Sequence, residues 1–159
     1  MRDIVILGST GSIGVQALEV IAANPTKFRV VGLSAGSNNL ERLTEQVKKF
    51  SVPIIGTTGD GSLLRNALHG VEVIDGPNSS LHIAALSCDV VLNGITGSIG
   101  LGPTLAALEV GNTVALANKE SLVAGGDLVM AHGRSIFLWT QTFSLFQLFL
   151  RERLVMLKK

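Results

Sequence analysis

Short runs of nearly uninterrupted Val, Ile and Leu alternate with helical patterns through the first 134 residues. That alternation decides the fold class. The patterns predict strands at Asp3–Leu7, Arg29–Leu33, Pro53–Gly56, Val71–Ile74, Asp89–Leu92 and Thr113–Ala117. They predict helices at Ser12–Ala23, Leu40–Phe50, Gly61–Leu68, Ser79–Ala85, Leu101–Val110 and Lys119–His132. Strands that are apolar on consecutive residues are covered on both faces, which is the situation of a parallel sheet between helical layers. Leu40, Leu43 and Val47, three and four residues apart, mark the buried stripe of one such helix. The expectation is an α/β domain of Rossmann-like, doubly wound type, with a mainly parallel sheet and helices on both faces. No Pro- or Ser-rich linker divides it, so a single domain is expected over 1–134, followed by a tail of different character at 135–159.

Composition narrows the function classes. The chain has 159 residues and a mass of 16.7 kDa, room for one domain. Thirteen Lys and Arg against twelve Asp and Glu give a net charge of +1, without the excess that draws a protein to nucleic acid or anionic membrane. Hydrophobic residues make up 47% and the mean hydropathy is +0.45, ample for a packed core. The lone Cys88 excludes an intramolecular disulfide and a multi-cysteine zinc site. Met1-Arg2-Asp3 leads directly into an apolar run with no cleavable signal pattern, so a soluble, cytoplasmic domain is expected. His69, His82 and His132 are scattered and carry no ligand pattern.

The first predicted strand runs into Gly8-Ser9-Thr10-Gly11-Ser12-Ile13-Gly14 and then into a helix. A glycine turn between strand and helix brings backbone N–H groups close to a phosphate, and the helix N-terminus adds partial positive charge. Gly8 suits the tight turn, Gly11 the approach of a pyrophosphate, and Gly14 the packing of helix on strand. The G-x-x-G-x-x-G spacing is a relative of the usual dinucleotide fingerprint. At the end of the second strand, an NAD site places an acid for the ribose 2′-OH. Here Ser34-Ala35-Gly36-Ser37-Asn38-Asn39 holds none, and the first acid is Glu41. Small neutral donors tolerate a 2′-phosphate, and Arg42 is near enough to supply charge, so NADP is favoured over NAD.

Two further segments stand at predicted strand ends. Gly94-Ile95-Thr96-Gly97-Ser98-Ile99-Gly100 nearly repeats the first loop. It is either a second phosphate loop or, as we prefer, a strand-to-helix turn lining the cofactor's far end. Asn118-Lys119-Glu120 follows the sixth strand. Its donor, cation and acceptor suit a polar ligand equally well as they suit a helix start, with Asn118 as cap and Glu120 in the first turn.

Taken together, GSTGSIG, AGSNN, NGITGSIGLGPTLAAL and LANKESLV resemble the 1-deoxy-D-xylulose 5-phosphate reductoisomerase family of non-mevalonate isoprenoid biosynthesis. The resemblance covers about residues 1–134, the NADPH-binding domain of that family. It implies an NADP-dependent oxidoreductase that rearranges the carbon skeleton of a small phosphorylated sugar. Hydride from NADPH then reduces the resulting aldehyde to 2-C-methyl-D-erythritol 4-phosphate. It implies that Thr10, Gly11, Ser12 and Ile13 hold the pyrophosphate region, and that Gly36, Ser37 and Asn38 contact the adenosine ribose and its phosphate. Asn118 and Glu120 would hold the nicotinamide half, and Lys119 would contact substrate, its ammonium suiting oxygens that gain negative charge. The family is homodimeric and uses a divalent metal, Mg, Mn or Co.

The family's metal motif, Val-Asp-Ser-Glu-His-Ser-Ala, is expected near residues 138–144. The chain reads Leu138-Trp139-Thr140-Gln141-Thr142-Phe143-Ser144 there, and Glu152 is the sole acid after Asp127. No metal ligands and no complete catalytic set are therefore expected in this chain, which should lack turnover by itself. The aromatic-rich stretch Ile136–Leu150 is too short to span a bilayer. It reads as an amphipathic helix, a membrane-surface anchor or, as we prefer, material foreign to the domain. Codons for Pro-Val-Asp-Ser read one base later give Leu-Trp-Thr, the residues at 138–140, so a shifted reading frame after about residue 134 is expected ahead of a natural tail or a truncation. The alternatives for the chain are another NAD(P)-dependent dehydrogenase with a related glycine loop, such as a semialdehyde dehydrogenase, for which Cys88 would have to serve as nucleophile although its place at the start of the Asp89–Leu92 strand reads as core, and a non-enzymatic NADPH-binding remnant.

Overall fold

The computed structural model describes residues 1–117 and 136–138, which form a seven-stranded parallel sheet with helices on both faces. The strands are β1 (Arg2–Leu7), β2 (Phe28–Ala35), β3 (Ile54–Thr57), β4 (Glu72–Asp75), β5 (Val90–Asn93), β6 (Thr113–Leu116) and β7 (Ile136–Leu138). The helices are α1 (Ser12–Ala22), α2 (Leu40–Phe50), α3 (Ser62–Ala67), α4 (Ser79–Ala84) and α5 (Leu101–Glu109). The spatial order is β4-β3-β2-β1-β5-β6-β7, so the winding reverses between β1 and β5. The expected doubly wound, Rossmann-like architecture is present.

Side chains alternate along each strand, and the alternation builds two cores. Ile4 and Ile6 join Leu18, Leu43, Val47 and Leu64 beneath α1, α2 and α3. Val5 and Leu7 point the other way, joining Ile83 and Ala84 of α4 and Ala107 and Leu108 of α5. In β5, Val90 and Leu92 belong to the first core while Val91 belongs to the second. An irregularity in the β1–β2 register, where Ile4 faces Val30 but Val5 faces Gly32, resets the alternation in β2. It lets Val30, Leu33 and Ala35 all enter the first core.

Strand and helix limits fall within a residue or two of the patterns that predict them. Two short 3-10 turns, Ser37–Asn39 and Ser98–Gly100, lead into α2 and α5 and were not expected. Ile136–Leu138, the start of the stretch that one reading makes an amphipathic helix, is a strand and pairs in parallel with Val114–Leu116. Three apolar residues suffice there because β6 offers an open edge and Ile136 packs against the second core. The predicted helix Lys119–His132 and the rest of the tail lie outside the described residues.

Candidate functional site

In an open parallel sheet, the reversal of winding leaves a crevice outside the carboxyl ends of the two strands concerned. Here those strands are β1 and β5, and the two glycine runs leave them side by side. The N–H groups of Gly8 and Ser9 both donate to the Ser34 carbonyl, at 2.8 and 2.9 Å, tying the first loop to the end of β2. The Gly94 N–H donates to the Leu7 carbonyl at 2.9 Å, tying the second loop to the end of β1. Gly8 sits at φ +76°, and a Cβ there would stand 3.1 Å from the Gly94 backbone. A Cβ on Gly14 would stand 2.5 Å from the Gly8 carbonyl oxygen, so α1 rests on the loop itself rather than on the strand.

Helix α2 clamps the first loop from outside. Gln46, buried on the stripe of Leu43 and Val47, donates from Nε2 to the Ser9 carbonyl at 2.9 Å. One turn earlier, Arg42 donates from Nη1 to the Thr10 carbonyl at 3.4 Å. The second loop is braced from inside by Asn93. Its amide donates to the Gly100 carbonyl at 2.8 Å and to Thr104 Oγ1 at 2.9 Å, and its oxygen accepts from the Ile95 N–H at 3.0 Å. Such bracing suits a strand-to-helix turn. Gln46 and Asn93 were not singled out from sequence; a Gln on an otherwise apolar helix stripe was the available signal for the first.

A cleft of about 660 Å³ opens at this edge, lined by Gly8, Gly36, Asn38, Ser80, Ile95 and Thr96 among others. Of the residues expected to hold the adenosine end, Gly36, Ser37 and Asn38 are all exposed at the end of β2, and Gly36 and Asn38 line the cleft. Among the described residues, no atom beyond Gly36 and its two chain neighbours lies within 4 Å of where a Cβ on Gly36 would stand, so the space beside it is open to a ligand. Thr10, Gly11, Ser12 and Ile13 lie on the loop and first turn of α1, with Gly11 and Ser12 exposed. The Ile13 side chain is turned inward, 3.4 Å from the place of a Cβ on Gly94. Asn118, Lys119 and Glu120 lie outside the described residues. The residue before them, Ala117, donates its N–H to the Asn93 carbonyl at 3.0 Å, at the same edge of the sheet.

Among the described residues, two ion pairs stand at opposite edges of the sheet, with Asp3 near the start of β1 and Asp75 at the end of β4. Arg29 holds Asp3 and Arg65 holds Asp75, each at 2.6 Å, and these bonds lower both carboxyl pKa values. Cys88 precedes β5 at the opposite, amino edge of the sheet. Half-buried against the second core, its thiol is pushed up to about 11 by burial. A nucleophile needs thiolate, so Cys88 is unsuited to the catalytic part required of it by the alternative of another NAD(P)-dependent dehydrogenase. Among the described residues there is no group of three His, Cys, Asp or Glu side chains able to hold a metal.

The comparisons agree with this geometry. The family model of 1-deoxy-D-xylulose 5-phosphate reductoisomerase matches residues 4–126. A reductoisomerase of Beutenbergia cavernae is 54% identical over 136 residues, covering 82% of this chain and 34% of that protein. The solved structure of the Zymomonas mobilis reductoisomerase in complex with NADPH superimposes with a TM-score of 0.78 at 36% identity, over 86% of this chain and 38% of that one. A second, of the reductoisomerase in complex with NADPH, fosmidomycin and magnesium, gives 0.79 at 32% identity, over 87% and 36%. The chain thus spans about a third of the length of the relatives it matches. With the family model covering most of its length and the glycine loops at the switch point, the chain belongs to the 1-deoxy-D-xylulose 5-phosphate reductoisomerase family.

Proposed function

We propose that this chain is the NADPH-binding part of a reductoisomerase converting 1-deoxy-D-xylulose 5-phosphate to 2-C-methyl-D-erythritol 4-phosphate. The observation that carries the cofactor assignment is the open, acid-free end of β2, where the exposed Gly36 faces empty space beside the glycine loop. In this proposal Thr10, Gly11, Ser12 and Ile13 bind the pyrophosphate through main-chain N–H groups and the Ser and Thr hydroxyls. Gly36, Ser37 and Asn38 take the adenosine ribose and its phosphate. Asn118 and Glu120 hold the nicotinamide end, and Lys119 faces substrate oxygens that gain charge. Bound NADPH supplies the hydride that reduces the rearranged aldehyde.

The expected carboxylates of the metal site have no counterpart at 138–144, and no step through a metal is assigned to this chain. For the whole reductoisomerase we infer a phosphorylated sugar substrate, a homodimer, and no nucleic-acid or membrane partner. We infer a cytoplasmic setting; no described helix is long and apolar enough to cross a membrane. The test is calorimetric titration of the 159-residue chain with NADPH and NADH, beside an assay for the methylerythritol product with magnesium present. The proposal expects at least about tenfold preference for NADPH, some 1.4 kcal/mol, with no product formed. Equal affinity for both cofactors overturns it.

A further inference from the structure

We propose that Arg42 determines cofactor choice, taking the 2′-phosphate that distinguishes NADPH from NADH; this rests on the cofactor assignment above. Arg42 lies in the first turn of α2, directly after the Ser37–Asn39 turn that closes β2, and is exposed. Its guanidinium reaches back to the Thr10 carbonyl. One side chain therefore bridges the glycine loop and the end of β2, the two segments between which an adenosine ribose would have to lie.

Its electrostatic state suits an anion. Arg29 and Arg65 are each committed to an aspartate, whereas among the described residues Arg42 has no carboxylate within 4 Å. The contact with Thr10 is to a neutral carbonyl and uses one of five N–H donors, leaving the charge and the planar donor fork for a phosphate. Lys48 and Lys49 belong to the last turn of the same helix, about 9 Å farther along its axis at 1.5 Å per residue. Among the acids nearby, Glu41 projects about 100° around the helix from Arg42. Glu45, one turn on, makes no ion pair with it. Asp60, on the loop after β3, has both oxygens occupied by the Ser62 N–H and hydroxyl at 2.8 Å.

Helix α2 is itself anchored to the loop by Gln46. Arg42 thus starts from a fixed turn, which limits the ordering its side chain must undergo on binding.

The experiment titrates the wild-type chain, Arg42→Ala and Arg42→Gln with NADPH, NADH, 2′,5′-ADP and ADP, with thermal melts as a fold control. Arg42→Gln keeps a donor for the Thr10 carbonyl while removing the charge. Both variants are expected to lose at least about tenfold in affinity for NADPH and 2′,5′-ADP, the effect of one charge-assisted hydrogen bond. Affinity for NADH and ADP stays unchanged. A loss shared equally by all four ligands, or rescued by Gln, makes Arg42 a brace for the loop and overturns the proposal. Undiminished NADPH binding by both variants overturns it while leaving the cofactor assignment standing. A wild-type chain that binds none of the four overturns both.

Discussion

Gly8 and Gly36 line the same cleft, yet their smallness answers to different neighbours. At Gly8 the backbone is left-handed and the Gly94 main chain lies 3.1 Å from any added Cβ. Gly8→Ala should therefore cost roughly 1–2 kcal/mol for the backbone conformation alone, with crowding of the two loops added, and should lower the melting temperature. At Gly36 the backbone is ordinary, φ −69°, and among the described residues nothing beyond its chain neighbours stands within 4 Å of an added Cβ. Gly36→Ala should leave stability within about 0.5 kcal/mol of wild type, as for exposed positions generally, while weakening NADPH binding several-fold. Thermal melts beside cofactor titrations separate the two. A Gly36→Ala chain that melts early would show that the protein, not the ligand, needs the glycine. Spacing already assigned Gly8 to the tight turn, but that its close neighbour is the second glycine loop depends on a contact distant in sequence.

The elements that build the site were largely readable because each carries its own period. Leu43 and Val47 mark α2, and the unbroken Val90-Val91-Leu92 marks a strand buried on both sides. What was not readable depends on partners distant in sequence. Ile136–Leu138 becomes a strand only because β6 leaves an edge for it. The Ser37–Asn39 and Ser98–Gly100 turns have no apolar period of their own. Asn93, at the end of an apolar strand, gave no sign that it would hold a loop seven residues ahead. Its three hydrogen bonds, made where it is fully buried, tie β5, the second glycine loop and α5 into one unit. Asn93→Ala removes all three together, while Thr104 Oγ1 still donates to the Gly100 carbonyl at 2.9 Å. The expected cost is roughly 2–4 kcal/mol from the three lost bonds. Chemical denaturation measures it; a loss below about 0.5 kcal/mol would mean that the Thr104 bond alone holds the loop.

Across the whole molecule, cofactor cleft and Cys88 occupy opposite edges of the same sheet, which makes the thiol a reporter on how cooperatively the domain holds together. Its pKa of about 11 leaves about a thousandth as thiolate at pH 8, and half-burial against the second core restricts access further. Labelling by a thiol reagent should then be slow and should proceed through open molecules. Two routes are conceivable: local fraying of the amino edge around Cys88, or opening of the entire sheet. NADPH distinguishes them because its proposed site lies at the carboxyl edge, away from the thiol at the amino edge. If β1 and β5 must separate for Cys88 to react, the cleft is lost in the same event and the ligand opposes it. At a hundred times its dissociation constant, a ligand of the native state adds about 2.7 kcal/mol, or about a hundredfold fewer open molecules. The two cores share β1, β5 and β6 through alternate residues, so neither can dissolve without exposing the other face of the same strands. We therefore expect NADPH to slow Cys88 labelling about a hundredfold, measured under conditions where labelling tracks the open population. A rate indifferent to NADPH would show that the amino edge opens alone, and that the sheet does not transmit binding at one edge into protection of the other.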